Sequence, residues 1–233
     1  MNEYDEMNSN ATHARLLDVA IEHFGRFGIE GASTRAIAKD AETPMSSITY
    51  HFGGKEGLYL ATAERIADRM QELLAPAIGE AMRACQAGCT DAQARAALHS
   101  IYGHATSAMV SAETEAIARF IVREQAEPTE AFTRIYERLM APMLGRFAFL
   151  LRVVAGDKID EHEARLRAMA LFGQVLFFRV ARETALRGAG WKKIGASELA
   201  VVKNIIADHL DAVLDRLSKG QLSKGQLSKG KGP

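Results

Sequence analysis

Two cysteines in 233 residues are too few for a disulfide scaffold, and Cys85 and Cys89 read as reduced thiols. No apolar run reaches the roughly 18 residues that a membrane-spanning helix needs. The opening MNEYDEMNSNATH is acidic and polar where a secretion signal is basic and then apolar, so a cytoplasmic protein without a membrane partner is expected. The chain also lacks a Gly-rich phosphate loop and a nucleophile motif, and its seven histidines are scattered, which argues against an enzyme and implies no cofactor. On a continuous helix Cys85 and Cys89 would share a face that His99 or His104 would extend into a metal site. Gly88 and the Thr90-Asp91 pair break the helix there, so no metal is expected.

What is present is a large apolar fraction, 48%, with 29 basic residues balanced by 29 acidic ones, the composition of a globular chain with a real core. No strand period occurs. Helical spacing predicts helices over Lys55 to about Leu74, Pro76–Ala87, Asp91–Val110, Ala112–Gln125, Thr129–Val154, Glu161–Arg187 and Ser197–Leu217, with Pro76, Gly88, Pro128, Gly156 and Gly188 to Gly190 as breaks. The fold class is therefore all-α, with about nine or ten helices.

The most informative stretch is STRAIAKDAETPMSSITYHFGGKEGL, Ser33 to Leu58. Ser33 and Thr34 can cap a helix whose apolar positions are Ile37, Ala38 and Ala41. Thr43 followed by Pro44 is a second start signal, a capping hydroxyl before a proline at the first helical position, and predicts a helix from about Pro44 to Tyr50 or His51. Two short helices joined by so tight a turn form a helix-turn-helix, which puts the second helix in a DNA major groove. Gly53 and Gly54 end that helix, and Lys55 opens the next as a candidate phosphate clamp. Ile48, Phe52 and Leu58 read as core; Met45 fits either contact with a thymine methyl or idle surface.

An N-terminal helix carrying Ala20, Phe24, Phe27 and Gly28, then T-R-x-I-A, then I-T-Y-H-F-G-G-K-E-G-L-Y, resembles the TetR family of bacterial transcriptional regulators from about Ala14 to Ala63. The resemblance implies double-stranded operator DNA as a partner, touched by Thr34, Pro44, Met45, Ser46, Thr49, Tyr50, His51 and Lys55. The chain departs from the family pattern at Glu42, where glycine is usual, at Pro44, where a small polar residue is usual, and at Met45, where lysine is frequent. Residues 1–12 are expected as a flexible N-terminus, 13–60 as the DNA-reading head, 61–217 as a helical ligand-binding and dimerisation domain, and 218–233 as a disordered tail. In that tail LSKGQ repeats from Leu217 and Leu222, with a last copy from Leu227 ending in lysine, a composition that cannot bury enough surface to fold.

The Glu161–Arg187 helix has Leu166, Ala170, Phe177 and Ala181 on one side, while Met169, Phe172, Val175, Leu176 and Phe178 spread its apolar surface further round. So wide a face needs two partners. The last long helix offers a matching stripe of Leu199, Val202, Ile206, Val213 and Leu217, and a homodimer through four helices is expected. ARFIVREQAEPTEAF and LFGQVLFFRVARETALRGAGW are similar to the C-terminal domain of a branch of the family that includes CecR-like regulators. The resemblance implies a cavity inside the bundle for a small apolar or drug-like effector, with Met109, Phe120, Arg123, Glu124, Met140, Met143, Phe147 and Phe172 as candidates. The same residues would equally make an ordinary core. Arg123 and Glu124 suit polar orientation of the ligand or an internal ion pair. A helical ligand-binding protein whose reading head has decayed is the rival to a ligand-responsive repressor.

Through residue 60 the basic side chains Arg15, Arg26, Arg35, Lys39 and Lys55 are outnumbered by acidic ones, so this head leans on oriented N–H groups and hydroxyls rather than on net charge. About two to four phosphates neutralised per half-site are expected. Plotting log K for operator against log salt should give a slope shallower than about −9 for a dimer.

Overall fold

The computed structural model describes residues 3–85 and 88–221; most of the predicted tail, 222–233, lies outside the described residues. All regular elements among them are helical: α1 (Glu3–Gly31), α2 (Thr34–Asp40), α3 (Ser46–Phe52), α4 (Lys55–Ala84), α5 (Asp91–Val110), α6 (Glu115–Ala126), α7 (Glu130–Ile135), α8 (Ala141–Ala155), α9 (Glu161–Val180), α10 (Arg182–Ala189) and α11 (Ala196–Lys219). Helix α1 reaches into the stretch 1–12 expected to be flexible.

Helix α4 is the spine. It packs against α1 at the head end and against α5 and α7 in the body, while α8, α9 and α11 pack round α5. The break expected at Pro76 does not occur: α4 runs through it, because Leu74 and Ala77 on either side are buried and outweigh one missing backbone bond.

Proline acts where it was not expected to. The predicted helix Thr129–Val154 is divided by a π-helical turn at Tyr136–Met140. Pro142 has no N–H to offer the carbonyl of Arg138 one turn back, and that carbonyl instead accepts a bond from Nε2 of Gln71 on α4. The predicted Glu161–Arg187 helix likewise divides at Ala181, which leaves the helical region at φ −103°, ψ 36°. Cys85 and Cys89 were expected as separate thiols; the structure joins them as a disulfide, because α4 ends at Ala84 and the chain turns back, leaving the two Cα atoms 4.2 Å apart.

Ser33 caps α2 as expected, its Oγ accepting from the Ala36 N–H at 3.4 Å. Helix α3, however, begins at Ser46 rather than Pro44, and Thr43 makes no cap; its hydroxyl donates back to the Ala38 carbonyl at 3.5 Å. Pro44 and Met45 supply carbonyls to the first turn of α3. Between α2 and α3 the sharpest residue is Glu42, left-handed at φ 52°, where the related pattern has glycine. A side chain there strains the backbone by about 1–2 kcal/mol. Glu42→Gly relieves this, less the flexibility glycine adds to the unfolded chain, and should raise stability by about 0.5–1 kcal/mol in urea unfolding, with no gain from Glu42→Ala.

Candidate nucleic-acid interface and effector cavity

The head forms because one face of each helix is apolar. Leu16, Ala20 and Phe24 of α1, Ile37 and Ala38 of α2, Ile48 of α3 and Leu58 of α4 are all buried together. What this core leaves outside is the outer surface of α3 and its entry. Pro44, Met45, Ser46, Thr49 and Tyr50 are exposed, Tyr50 at 81% and Met45 at 57%. An 81% exposed tyrosine has no packing role, so its ring and hydroxyl are available to a groove or backbone.

Three other predicted contact residues are half-buried: Thr34, His51 and Lys55. Lys55 is partly engaged, its Nζ donating to the Glu30 carbonyl at the end of α1 at 3.1 Å. His51 sits edge-on to Tyr50 with centroids 4.9 Å apart, and His13 stacks on Phe52 at 4.7 Å. Burial and the neighbouring His51 hold the His13 imidazole below its usual pKa, so it favours the neutral form.

In the body, α4 to α9 enclose an apolar cavity of about 350 Å³. Five methionines wall it, Met70, Met109, Met140, Met143 and Met169, with Phe132, Tyr136 and Phe172. Its polar groups are the Gln125 amide and the Tyr136 hydroxyl, and no charged side chain lines it. Methionine walls reshape readily round varied apolar ligands. Met169 and Leu176 line the cavity and are also exposed, so it opens on the outer face of α9.

Of the predicted pocket residues, Met109, Met140, Met143 and Phe172 line this cavity. The other four do not. Phe120 stacks on Tyr59 with centroids 4.7 Å apart, and Phe147 packs behind the wall on Tyr102 at 5.1 Å. Arg123 lies outside the bundle, its guanidinium toward the Arg26 carbonyl at 3.5 Å. Glu124 is 2% exposed and receives four donors: the Tyr59 hydroxyl at 2.6 Å, the Thr129 hydroxyl at 2.9 Å, and the N–H groups of Thr129 and Phe132, both at 3.1 Å. A residue placed with the ligand by its polarity therefore ties α4 to the start of α7. Met70, Gln125, Phe132 and Tyr136 were missed, and the signal was available only in part: Met70 lies on the regular apolar stripe of α4.

Burial and the bond to Glu124 push the Tyr59 phenol well above its ordinary pKa, which keeps it a donor. Further along α4, Glu64 pairs with Arg134 and Asp68 with Arg138, both at 2.6 Å. With Gln71 these carboxylates form one face of α4, at i, i+4 and i+7, Glu64 clamped to α7 and Asp68 and Gln71 to the π turn that walls the cavity. One helix thus begins in the head at Lys55 and reaches the cavity at Met70, roughly 22 Å away at about 1.5 Å per residue. Among the described residues no cluster of three or more His, Cys, Asp or Glu is placed to hold a metal ion, and no helix is long and apolar enough to cross a membrane.

Tyr59→Phe removes one of four donors to a buried carboxylate and should cost about 1–3 kcal/mol in denaturant unfolding. Glu124→Ala leaves the Tyr59 and Thr129 hydroxyls and the Thr129 N–H without their acceptor, the Phe132 N–H keeping the Thr129 carbonyl, and should cost more, about 3–5 kcal/mol.

Comparison with known proteins agrees with this geometry. Residues 16–62 match the family model described as bacterial regulatory proteins, tetR family, and residues 94–217 match the C-terminal domain of the HTH-type transcriptional dual regulator CecR. The chain is 32% identical to the CecR regulator of Shigella flexneri over 209 residues, 88% of this chain and 92% of that protein. Its fold is similar to a TetR-family transcriptional regulator from Streptomyces coelicolor, with a TM-score of 0.62 at 18% identity over 90% of this chain and 97% of that one. It is also similar to AibR, solved in complex with isovaleryl coenzyme A and operator DNA, with a TM-score of 0.63 at 14% identity over 85% and 97% of the two chains.

Proposed function

Because the chain belongs to the TetR family of bacterial transcriptional regulators, with a CecR-type C-terminal domain, we propose that it is a cytoplasmic homodimeric repressor, released from a palindromic operator by a neutral apolar effector. The single observation that carries this is α4, whose first turn belongs to the reading head and whose middle walls the methionine cavity. A ligand that spreads the cavity moves α7 and the π turn. Through Glu124, Arg134, Arg138 and Gln71 that movement reaches α4, and the spacing of two heads changes. To empty the operator, the ligand must favour the non-binding spacing by several kcal/mol, about 5.5 for a shift from 1:99 to 99:1.

The effector is neutral in this proposal because a charge in a cavity lined only by apolar and amide or hydroxyl groups has no partner and carries a large desolvation cost. Gln125 and Tyr136 offer it orientation. The protein binds and releases; it needs no chemical step.

The dimer follows from an exposed stripe on α9, Leu166, Met169, Leu176, Phe177 and Val180, continued on α11 by Val201 and Ile205. Val180 at 59% and Phe177 at 46% exposure would be a contiguous apolar surface in a monomer. His209 and Gln174, bonded at 2.7 Å, hold the two helices side by side as one face.

A gel shift and footprint with the DNA upstream of the protein's own gene should show a two-fold symmetric site, and sedimentation at micromolar concentration a dimer. Phe177→Asp with Val201→Asp should yield a folded monomer with at least about a hundredfold weaker operator binding. An intact dimer that binds no DNA there, yet binds apolar ligands, would support the decayed-head alternative instead.

A further inference from the structure

A second cleft, of about 660 Å³, lies outside the methionine cavity, between the end of α1, the outer face of α6 and the corner where α9 meets α10. Arg26, Arg119, Arg123, Arg179 and Arg182 converge on it from three parts of the chain. A chain with no net charge has concentrated five guanidinium groups on one concavity.

Their pairing is incomplete. Among the described residues only Arg119 of the five has a carboxylate in ion-pair range, Glu115 at 2.7 Å. Glu183 at the rim leans to Arg187 at 3.6 Å, which leaves Glu127 as the one lining carboxylate with no ion pair, against Arg26, Arg123 and Arg182. Arg179 is buried and satisfied by neutral acceptors alone, the carbonyls of Met109 and Ser111 and, at 3.0 Å, the Thr114 hydroxyl. The floor between the cations is apolar: Ala118, Val122, Ala126 and Val180.

We propose that this cleft is a second small-molecule site, taking a phosphorylated organic anion whose phosphates meet Arg26, Arg123 and Arg182 and whose uncharged part covers Val122 and Ala126. Guanidinium forks match phosphate oxygens in pairs, and three of them from separate helices fix an anion more closely than any one would. The volume falls in the range of small-molecule sites, about 300–1,000 Å³. The electrostatics agree: burial first and then the neighbouring Arg182 hold Arg179 below the ordinary guanidinium pKa, with Glu115 opposing and Arg119 adding a little, so a bound anion would relieve part of this crowding. The site is separate from the exposed face of α3 and does not depend on the repressor reading. It stands back to back with the methionine cavity, since Arg179 holds the carbonyl of Met109, a cavity wall.

Titration calorimetry of the full-length protein, without DNA, against pyrophosphate, ADP and citrate tests this. Pyrophosphate should bind with a submillimolar Kd and ADP more tightly. Arg123→Gln with Arg182→Gln, both away from the operator face and the cavity, should weaken both by at least about tenfold without changing the circular dichroism spectrum. No heat from either phosphate at 10 mM ligand would overturn the proposal. So would equal binding by the double variant, which places the anion elsewhere, or tighter binding of citrate than of ADP, which points to a carboxylate ligand.

Discussion

The carboxylate of Glu124 is the constraint on which the rest of the molecule turns. It stands at the junction of three helices, buried, with donors from α4 and from the first turn of α7 on its two oxygens. A group of this kind is costly to leave unsatisfied, so the helices that supply its donors are not free to part. Tyr59 adds packing to the bond, wedged edge-on against Phe24 of α1 at 4.9 Å and stacked on Phe120 of α6 at 4.7 Å. The head is thereby joined to the body through a densely packed junction of α1, α4 and α6.

The other end of the same lever is built with looser material. The wall of the cavity includes a π turn beside Pro142, held from outside by Gln71 and Asp68 of α4, with Glu64 of α4 pairing to the end of α7 just before it. Methionines fill the space it borders. A rigid, fully bonded junction near the head and an adaptable wall near the cavity are the two properties that a transmitted signal needs. In the proposed mechanism, deformation would begin where the packing tolerates it and travel along α4 to a place where it does not.

The reading head was legible in the sequence because its signals are local: the Ser33 cap, the apolar spacing of Ile37, Ala38 and Ile48, the Gly53 stop at φ 73°. The candidates Met45, Ser46, Thr49 and Tyr50 are exposed, on the side that the core does not use. The misjudged features share a physical cause, that a tertiary partner decides them. Pro76 reads as a break but is carried by the burial of its neighbours. Pro142 makes a π turn only because Gln71 is there to take the freed carbonyl. Glu124 and Arg123 are adjacent in sequence and polar, yet a helix sends adjacent side chains about 100° apart, one into the core and one into the arginine cleft.

The charge pattern gives the head and the body different tasks. The head has little positive charge to hold DNA without regard to sequence, and its exposed surface offers hydroxyls, a tyrosine and a methionine. Weak general attraction makes the geometry of two heads matter more, since a single head contributes few of the phosphate contacts that hold a protein on DNA. Two heads held at one helical turn of spacing roughly add their free energies, and a small change in that spacing loses the second contribution outright. A strongly basic head would stay on DNA with its partner misplaced. A nearly neutral one falls off, so in the proposed mechanism the scarcity of charge in the head would let a motion of α4 be read as a change in occupancy.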